Sequence, residues 1–161
     1  MKMKITCIAV GKVKEKFYRQ SILEFQKRLQ KYCKLEIIEV ADEKTPDKAG
    51  EKIEEQIKMV EGERILKYIR DNAYVIALAI KGQELNSEKL AEKIENLGIN
   101  GHSNITFVIG GSLGLSPTVL KRADYQLSFS AMTFPHQLMR VILLEQVYRS
   151  FRIIGGEPYH K

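Results

Sequence analysis

The chain has 161 residues, 44% of them apolar and 29% charged, the composition of a globular protein with a core of its own, which excludes a disordered or fibrous chain. No apolar run approaches the roughly 18 residues a membrane helix needs. The apolar stretch after the basic start Met1–Lys2–Met3–Lys4 is only Ile5 to Val10, a strand rather than a signal-peptide core, so the expected location is cytoplasmic.

The net charge is +6, and residues 1–34 hold ten Lys and Arg against Glu15 and Glu24. A basic N-terminal section on a near-neutral body points to a polyanionic partner; a merely soluble, lysine-rich helix is the plainer reading. Cys7 and Cys33 make neither a disulfide framework nor a zinc set and read as buried thiols.

Lys4 to Val10 is a near-continuous apolar run stopped by Gly11, which predicts a strand buried on both faces. From Glu15 to Cys33, Tyr18, Ile22, Phe25, Leu29 and Tyr32 recur at helical spacing, with Lys16, Arg19, Lys27, Arg28 and Lys31 on the solvated side. Leu35 to Val40 is a second strand, and its two acids place it toward an edge. A polar connection with Pro46 leads to a charged helix expected over 47–70, with Ile53, Ile57, Val60, Ile65 or Leu66, and Ile69 as its stripe. Gly62 inside it is a candidate kink.

Tyr74 to Ile80 is the clearest buried strand, with Lys81–Gly82 expected to turn the chain out. Asn86 or Ser87 caps a helix whose apolar face is Leu90, Ile94 and Leu97. Asn104 to Ile109 is another strand, running into Gly110–Gly111. Ser116–Pro117 opens a short helix to about Arg122, Tyr125 to Phe129 is the last strand, and the final helix is expected from Pro135 to about Ile153. Five strands alternating with five helices predict one α/β domain over 1–161, a mostly parallel sheet flanked by helices.

In such sheets, ligands bind beyond the carboxyl ends of the strands, where strand order switches. The candidate walls are Gly110–Gly111–Ser112–Leu113–Gly114 and Phe129 to His136, with Lys12, Lys14 and Lys16 beside them. The glycine run is neither a dinucleotide fingerprint nor a Walker A loop; it permits close backbone approach to a ligand, or is a plain tight turn. His136 opens a helix, whose dipole favours the neutral imidazole. Arg140 and Arg149 are nine apart and face opposite sides of that helix. Spacing alone pairs Arg149 with Glu145. Tyr159–His160–Lys161 carries a stacking ring, an imidazole and a cation, chemistry suited to RNA. Three histidines at 102, 136 and 160 do not make a metal site. A non-catalytic RNA-binding module and a nucleotide-binding one both fit these residues.

Phe107 to Leu115, Leu127 to His136, Arg140–Val141, Glu145 to Arg149 and the terminal Tyr159–His160–Lys161, with Ala9 to Lys12 and Glu61–Gly62–Glu63, together resemble the ribosomal large subunit methyltransferase H family, of the SPOUT class. The resemblance implies a C-terminal trefoil knot and S-adenosylmethionine held by Leu78, Gly110, Phe129, Ser130, Ala131, Met132, Thr133 and Phe134. It also implies a homodimer formed in part through the last helix, with no metal and no membrane. The implied reaction is methylation at N3 of a pseudouridine in the helix 69 loop of 23S rRNA, in the assembled ribosome; a SPOUT enzyme acting on tRNA is the rival within the class. His136, Arg149, Tyr159 and His160 are the candidate catalytic groups for positioning or proton handling, and Lys12, Lys14, Lys16 and Arg19 the candidate RNA contacts.

Overall fold

A computed structural model describes residues 2–161; Met1, in the basic start, lies outside the described residues. The chain alternates β1 (Met3–Val10), α1 (Lys16–Leu29), β2 (Cys33–Val40), α2 (Glu51–Leu66), β3 (Tyr74–Glu84), α3 (Ser87–Ile99), β4 (Asn104–Ile109), α4 (Pro117–Arg122), β5 (Tyr125–Ser128) and α5 (His136–Ile154). The five strands form one sheet in the order β2-β1-β4-β3-β5, every pairing parallel.

Strand alternation sends Ile5, Cys7, Ala9, Phe107 and Ile76 to one face, where α1, α3 and α5 cover them. Ile8, Val10, Val108 and Val75 go to the other, under α2 and α4. Right-handed crossovers dictate this split. The connections through α1 and α3 move toward the β2 edge, and those through α2 and α4 move toward the β5 edge. The crevice between these opposite excursions opens at the carboxyl ends of β1 and β4.

Several boundaries differ from the sequence expectation. Helix α1 stops at Leu29, where the Tyr32 amide turns back to the Leu29 carbonyl at 2.9 Å. Cys33 therefore opens β2, opposite Met3, instead of ending a helix. Both cysteines are buried thiols, and burial pushes each up to about 12. Helix α2 is shorter than 47–70, because Gly50 caps it in extended conformation and the chain tightens into turns after Leu66. Its buried face is Ile57, Glu61, Gly62 and Ile65, while Ile53 and Val60 are exposed.

Gly62 does not break α2. A Cβ there would lie 2.5 Å from Ser116 Oγ, so the glycine is where α2 meets the start of α4. Lys81–Gly82 does not turn the chain out of β3 either. The strand continues to Glu84, and β5 pairs first with Ile76 to Leu78 and then with Gln83 and Glu84 across a bulge.

Candidate active site

The carboxyl ends of β3, β4 and β5 surround a cavity of about 820 Å3. Both predicted walls line it: Gly110 to Leu115 on one side, and Phe129, Ser130 and Met132 to His136 on the other, with Leu78 at its floor. Ala131 is the one predicted cofactor residue outside the lining. The volume is that of a small-molecule site. Its lining is mostly apolar, with the hydroxyls of Ser112, Ser128, Ser130 and Thr133, one cation in Lys81 and one imidazole in His136.

The two walls are held differently. Gly114 takes φ +89°, and its amide closes onto the Gly111 carbonyl at 3.1 Å. Gly110 is packed so closely that a Cβ would stand 2.8 Å from the Gly114 carbonyl carbon. In the other wall, Ser128 Oγ donates to the Ser130 carbonyl at 3.1 Å, and Ser130 Oγ accepts from the Met132 amide at 2.9 Å. The Met132 amide is thus already satisfied within the wall. Met132 itself is 72% exposed and Ile80 across the mouth 53%; apolar side chains this exposed frame an opening, not a core.

Pro135 delivers the chain from this wall into α5 as its N-cap, so the helix proper begins at His136. The ring of His136 packs against Gly11, where a Cβ would lie 3.6 Å from Cε1, and Gly11 itself sits at φ +91°. Burial holds the His136 pKa below its ordinary value; the nearby Arg140 guanidinium adds to this and Asp42 opposes it. The neutral imidazole expected from the helix dipole is therefore favoured by desolvation first. His136 Nδ1 is buried with no partner among the described residues.

One turn on, Arg140 is 2% exposed. It pairs with Glu39 and donates to the Gly11 carbonyl oxygen at 3.2 Å. Arg140 thereby clamps α5 to the ends of β1 and β2. Glu61 was missed as a site neighbour. It is 5% exposed, accepts from the Glu43 amide at 3.0 Å and borders Gly111. Burial raises its pKa. The signal in sequence was the Glu61–Gly62 pair at one turn's phase from Ile57 and Ile65.

Arg149, Tyr159 and His160 form a separate cluster. Arg149 Nη2 donates to Glu145 at 2.7 Å, as the spacing predicts, and its guanidinium lies 4.7 Å from the Tyr159 ring centroid. The Tyr159 hydroxyl donates to the same carboxylate at 2.8 Å. His160 Nδ1 stands 3.0 Å from Arg149 Nη1, a donor only, so Nδ1 accepts and Nε2 carries the proton toward Glu88 at 2.7 Å. The terminal residues are docked, not frayed. Thirteen helical steps separate His136 from Arg149, about 20 Å of rise. One chain therefore does not bring the four candidate catalytic groups together. Lys12, Lys14, Lys16 and Arg19 are all exposed on the β1–α1 connection and the first turn of α1.

The family described as predicted SPOUT methyltransferase matches residues 3–160. The chain belongs to the SPOUT methyltransferase family. Its relatives include proteins named ribosomal RNA large subunit methyltransferase H: one from Bifidobacterium adolescentis is 67% identical over 99% of this chain and 100% of its own length. Another, from Clostridium perfringens, is 66% identical over the same shares. A solved structure, that of a probable methylase family protein from Haemophilus influenzae, superposes with a TM-score of 0.52 over 98% of this chain and 70% of its own, at 16% identity; at that identity the likeness speaks for the fold. The SPOUT fold and the methyltransferase H resemblance read from the sequence are both borne out.

No helix among the described residues is long and apolar enough to cross a membrane, and no group of three or more His, Cys, Asp or Glu gathers there as metal ligands would.

Proposed function

We propose that this chain, a single SPOUT domain over residues 1–161, methylates N3 of a pseudouridine in the helix 69 loop of 23S rRNA, with S-adenosylmethionine as the donor. The acceptor is the assembled ribosome, which makes the enzyme cytoplasmic. The observation that carries this reading is that both sequence stretches of the resemblance, Gly110–Leu115 and Phe129–His136, line one cavity, in a chain whose full-length relatives are named for the large-subunit rRNA.

The residues present suit the donor. Leu78 and Phe129 offer apolar surface to the two faces of an adenine, and the main chain of the 129–134 wall offers donors and acceptors to its edge. Gly110 leaves space that any side chain would fill. When bound, S-adenosylmethionine supplies a methyl group carried on a sulfonium sulfur. The chain's part is to hold the acceptor nitrogen in line and keep it there, which supplies much of the rate. His136, neutral and at the cavity's rim, is placed to hold or accept a proton. The segment 129–135 carries the chain from the β5 edge back to Gly11 across the strand ends, which supports the knotted arrangement of the family.

The functional unit in this reading is a homodimer. Arg149, Tyr159 and His160 serve the cavity of the other copy, since about 20 Å of α5 separates them from their own. Half-buried Val141 and Tyr148 on α5 supply contact surface. The basic N-terminal section grips the RNA.

Mass analysis of 23S rRNA from a deletion strain tests the reading. Loss of one methyl from a single pseudouridine, restored by the gene in trans, is the expected result. An unchanged rRNA and a tRNA lacking a methyl would overturn it.

A further inference from the structure

A second cavity, of about 450 Å3, opens at the carboxyl ends of β1 and β2. It lies across the β1–β4 crevice from the first, and His136 lines both. A single imidazole thus borders both the proposed donor cavity and a neighbouring one.

The second cavity has a distinct charge pattern. Lys12 and Lys14 are exposed at its rim. Glu39, Asp42, His136 and Gln137 supply its other polar groups. Arg140 takes Glu39 and Arg64 takes Glu43, while Asp42 has no such pair among the described residues. Gln137 Oε1 accepts from the Lys14 amide at 3.2 Å, which fixes that side chain and leaves its amide nitrogen to donate.

Position 11 is glycine at φ +91°, a conformation that side-chain-bearing residues rarely adopt, and its Cβ position lies within contact distance of both His136 Cε1, at 3.6 Å, and Asp42 Cβ, at 4.0 Å. His136 and Asp42 are therefore brought to the same small space. The unpartnered Nδ1 of His136 is a buried polar atom of the kind that a ligand or ordered water completes.

Two carboxylates in the lining repel a phosphate from the interior, and two lysines at the rim attract one. The volume suits one nucleoside, not a duplex. A uracil-type base presents ring N–H donors between carbonyl acceptors. Asp42 accepts from such an N–H, and the Gln137 amide donates to such a carbonyl. Enzymes that do chemistry on a base take it out of its stack into a pocket of this kind.

We propose that this second cavity seats the ribonucleoside that receives the methyl group, its base against Asp42, His136 and Gln137 and its flanking phosphate at Lys12 and Lys14. The inference rests on the methyltransferase reading above, and it deepens that reading by giving the acceptor its own pocket. His136 then borders both donor and acceptor, at the edge the two cavities share.

The test uses the full-length protein and two variants. Ala41→Trp fills the second cavity from a lining position remote from the first, and Asp42→Asn removes the anionic acceptor while keeping the shape. Ribosomes from a strain lacking the enzyme serve as substrate at saturating S-adenosylmethionine. The expected result is a turnover at least 100-fold lower for Ala41→Trp and 10- to 100-fold lower for Asp42→Asn. Donor affinity by calorimetry should stay within twofold of wild type for both. Turnover within threefold of wild type in both variants overturns the proposal.

An independent arm titrates pseudouridine monophosphate into labelled protein and follows amide shifts. Shifts at Ala41, Asp42 and His136, absent in Ala41→Trp, are expected; no shift there, or shifts confined to other surfaces, would overturn the proposal. If wild type methylates no large-subunit rRNA, the parent reading fails, and the titration still decides whether the cavity holds a nucleotide. If Ala41→Trp does not fold, Asp42→Asn and the wild-type titration carry the decision.

Discussion

Arg140 and Glu39 form an ion pair whose two ends sit in different media: the arginine side chain is 2% exposed and the glutamate 40%. The pair joins α5 to the end of β2, and the same guanidinium holds the Gly11 carbonyl oxygen at 3.2 Å. The asymmetry sets the outcome of breaking it from either side. Glu39→Ala strands a buried cation, at a cost of about 3 kcal/mol. Arg140→Met leaves Glu39 free to be solvated and fills most of the volume, so it costs about 1 to 2 kcal/mol. Urea denaturation of the two variants checks the order; an Arg140→Met variant that is the less stable of the two contradicts it.

Gly62 offers a test in which two rules oppose each other. Helix propensity alone makes Gly62→Ala stabilising by about 1 kcal/mol. The close approach to α4, with the Cβ position 2.5 Å from Ser116 Oγ and 3.2 Å from Val119 Cγ2, forces a shift instead, and the expected net effect is a loss of about 1 to 3 kcal/mol. Ser116→Gly removes the obstructing hydroxyl and costs only a few tenths as an N-cap. In that background Gly62→Ala should cost at least 1 kcal/mol less, a coupling read from a double-mutant cycle by thermal denaturation.

These two contacts also mark where the sequence stopped being informative. Alternating apolar runs and glycine stops located all five strands, and the helical stripes located all five helices, because those patterns are local. Both walls of the 820 Å3 cavity were legible for the same reason: each is a short stretch following a strand. The partner of Arg140 is 101 residues away, and nothing in the spacing of α5 announces it. Cys33 and Lys81–Gly82 were misplaced because strand pairing, with Met3 in one case and with Leu127 and Ser128 in the other, overrode local turn chemistry. The second cavity needed Gly11, Asp42 and His136 together, three separate stretches of chain that only the fold brings into contact.

Gly110 separates cofactor binding from folding. A Cβ at this position would lie 2.8 Å from the Gly114 carbonyl carbon and 2.9 Å from its oxygen, and backbone atoms cannot rotate away. Gly110→Ala must therefore move the 110–115 wall. The expected result is a loss of S-adenosylmethionine affinity of at least 50-fold by calorimetry, with the unfolding midpoint shifted by no more than about 1 kcal/mol equivalent, because the wall lies outside the two cores. Retained affinity would remove this loop from the donor site.

His136 gives a pH signature whose sign follows from its burial. Its folded-state pKa lies below the ordinary histidine value, through burial first and Arg140 second. The unfolded chain then binds a proton more readily than the folded one. The contribution to stability is present above the unfolded pKa, about 6.5, and is lost as pH falls through the folded value. Replacing His136 with Gln should flatten that part of the profile between pH 7.5 and 5, measured by urea midpoints. The His136 imidazole resonances of the wild-type protein should titrate below the ordinary histidine value. A His136 that titrates at or above the ordinary value would contradict the neutral imidazole at the junction of the two cavities.

Lys12, Lys14, Lys16 and Arg19 supply the last prediction. All four are exposed, Lys12 and Lys14 at the rim of the second cavity, and among the described residues no ion pair holds their side chains. Contacts from such cations to RNA phosphates release counterions, so each contributes about 0.7 to 0.9 to the slope of log affinity against log salt. Replacing all four with Gln should lower that slope by about 3 for ribosome binding and weaken binding at low salt, while S-adenosylmethionine affinity stays within twofold. Sedimentation across a potassium chloride series measures the slope. A variant that keeps the wild-type slope would place the RNA on another face of the protein, and would leave the +8 balance of residues 1–34 as a device for solubility alone.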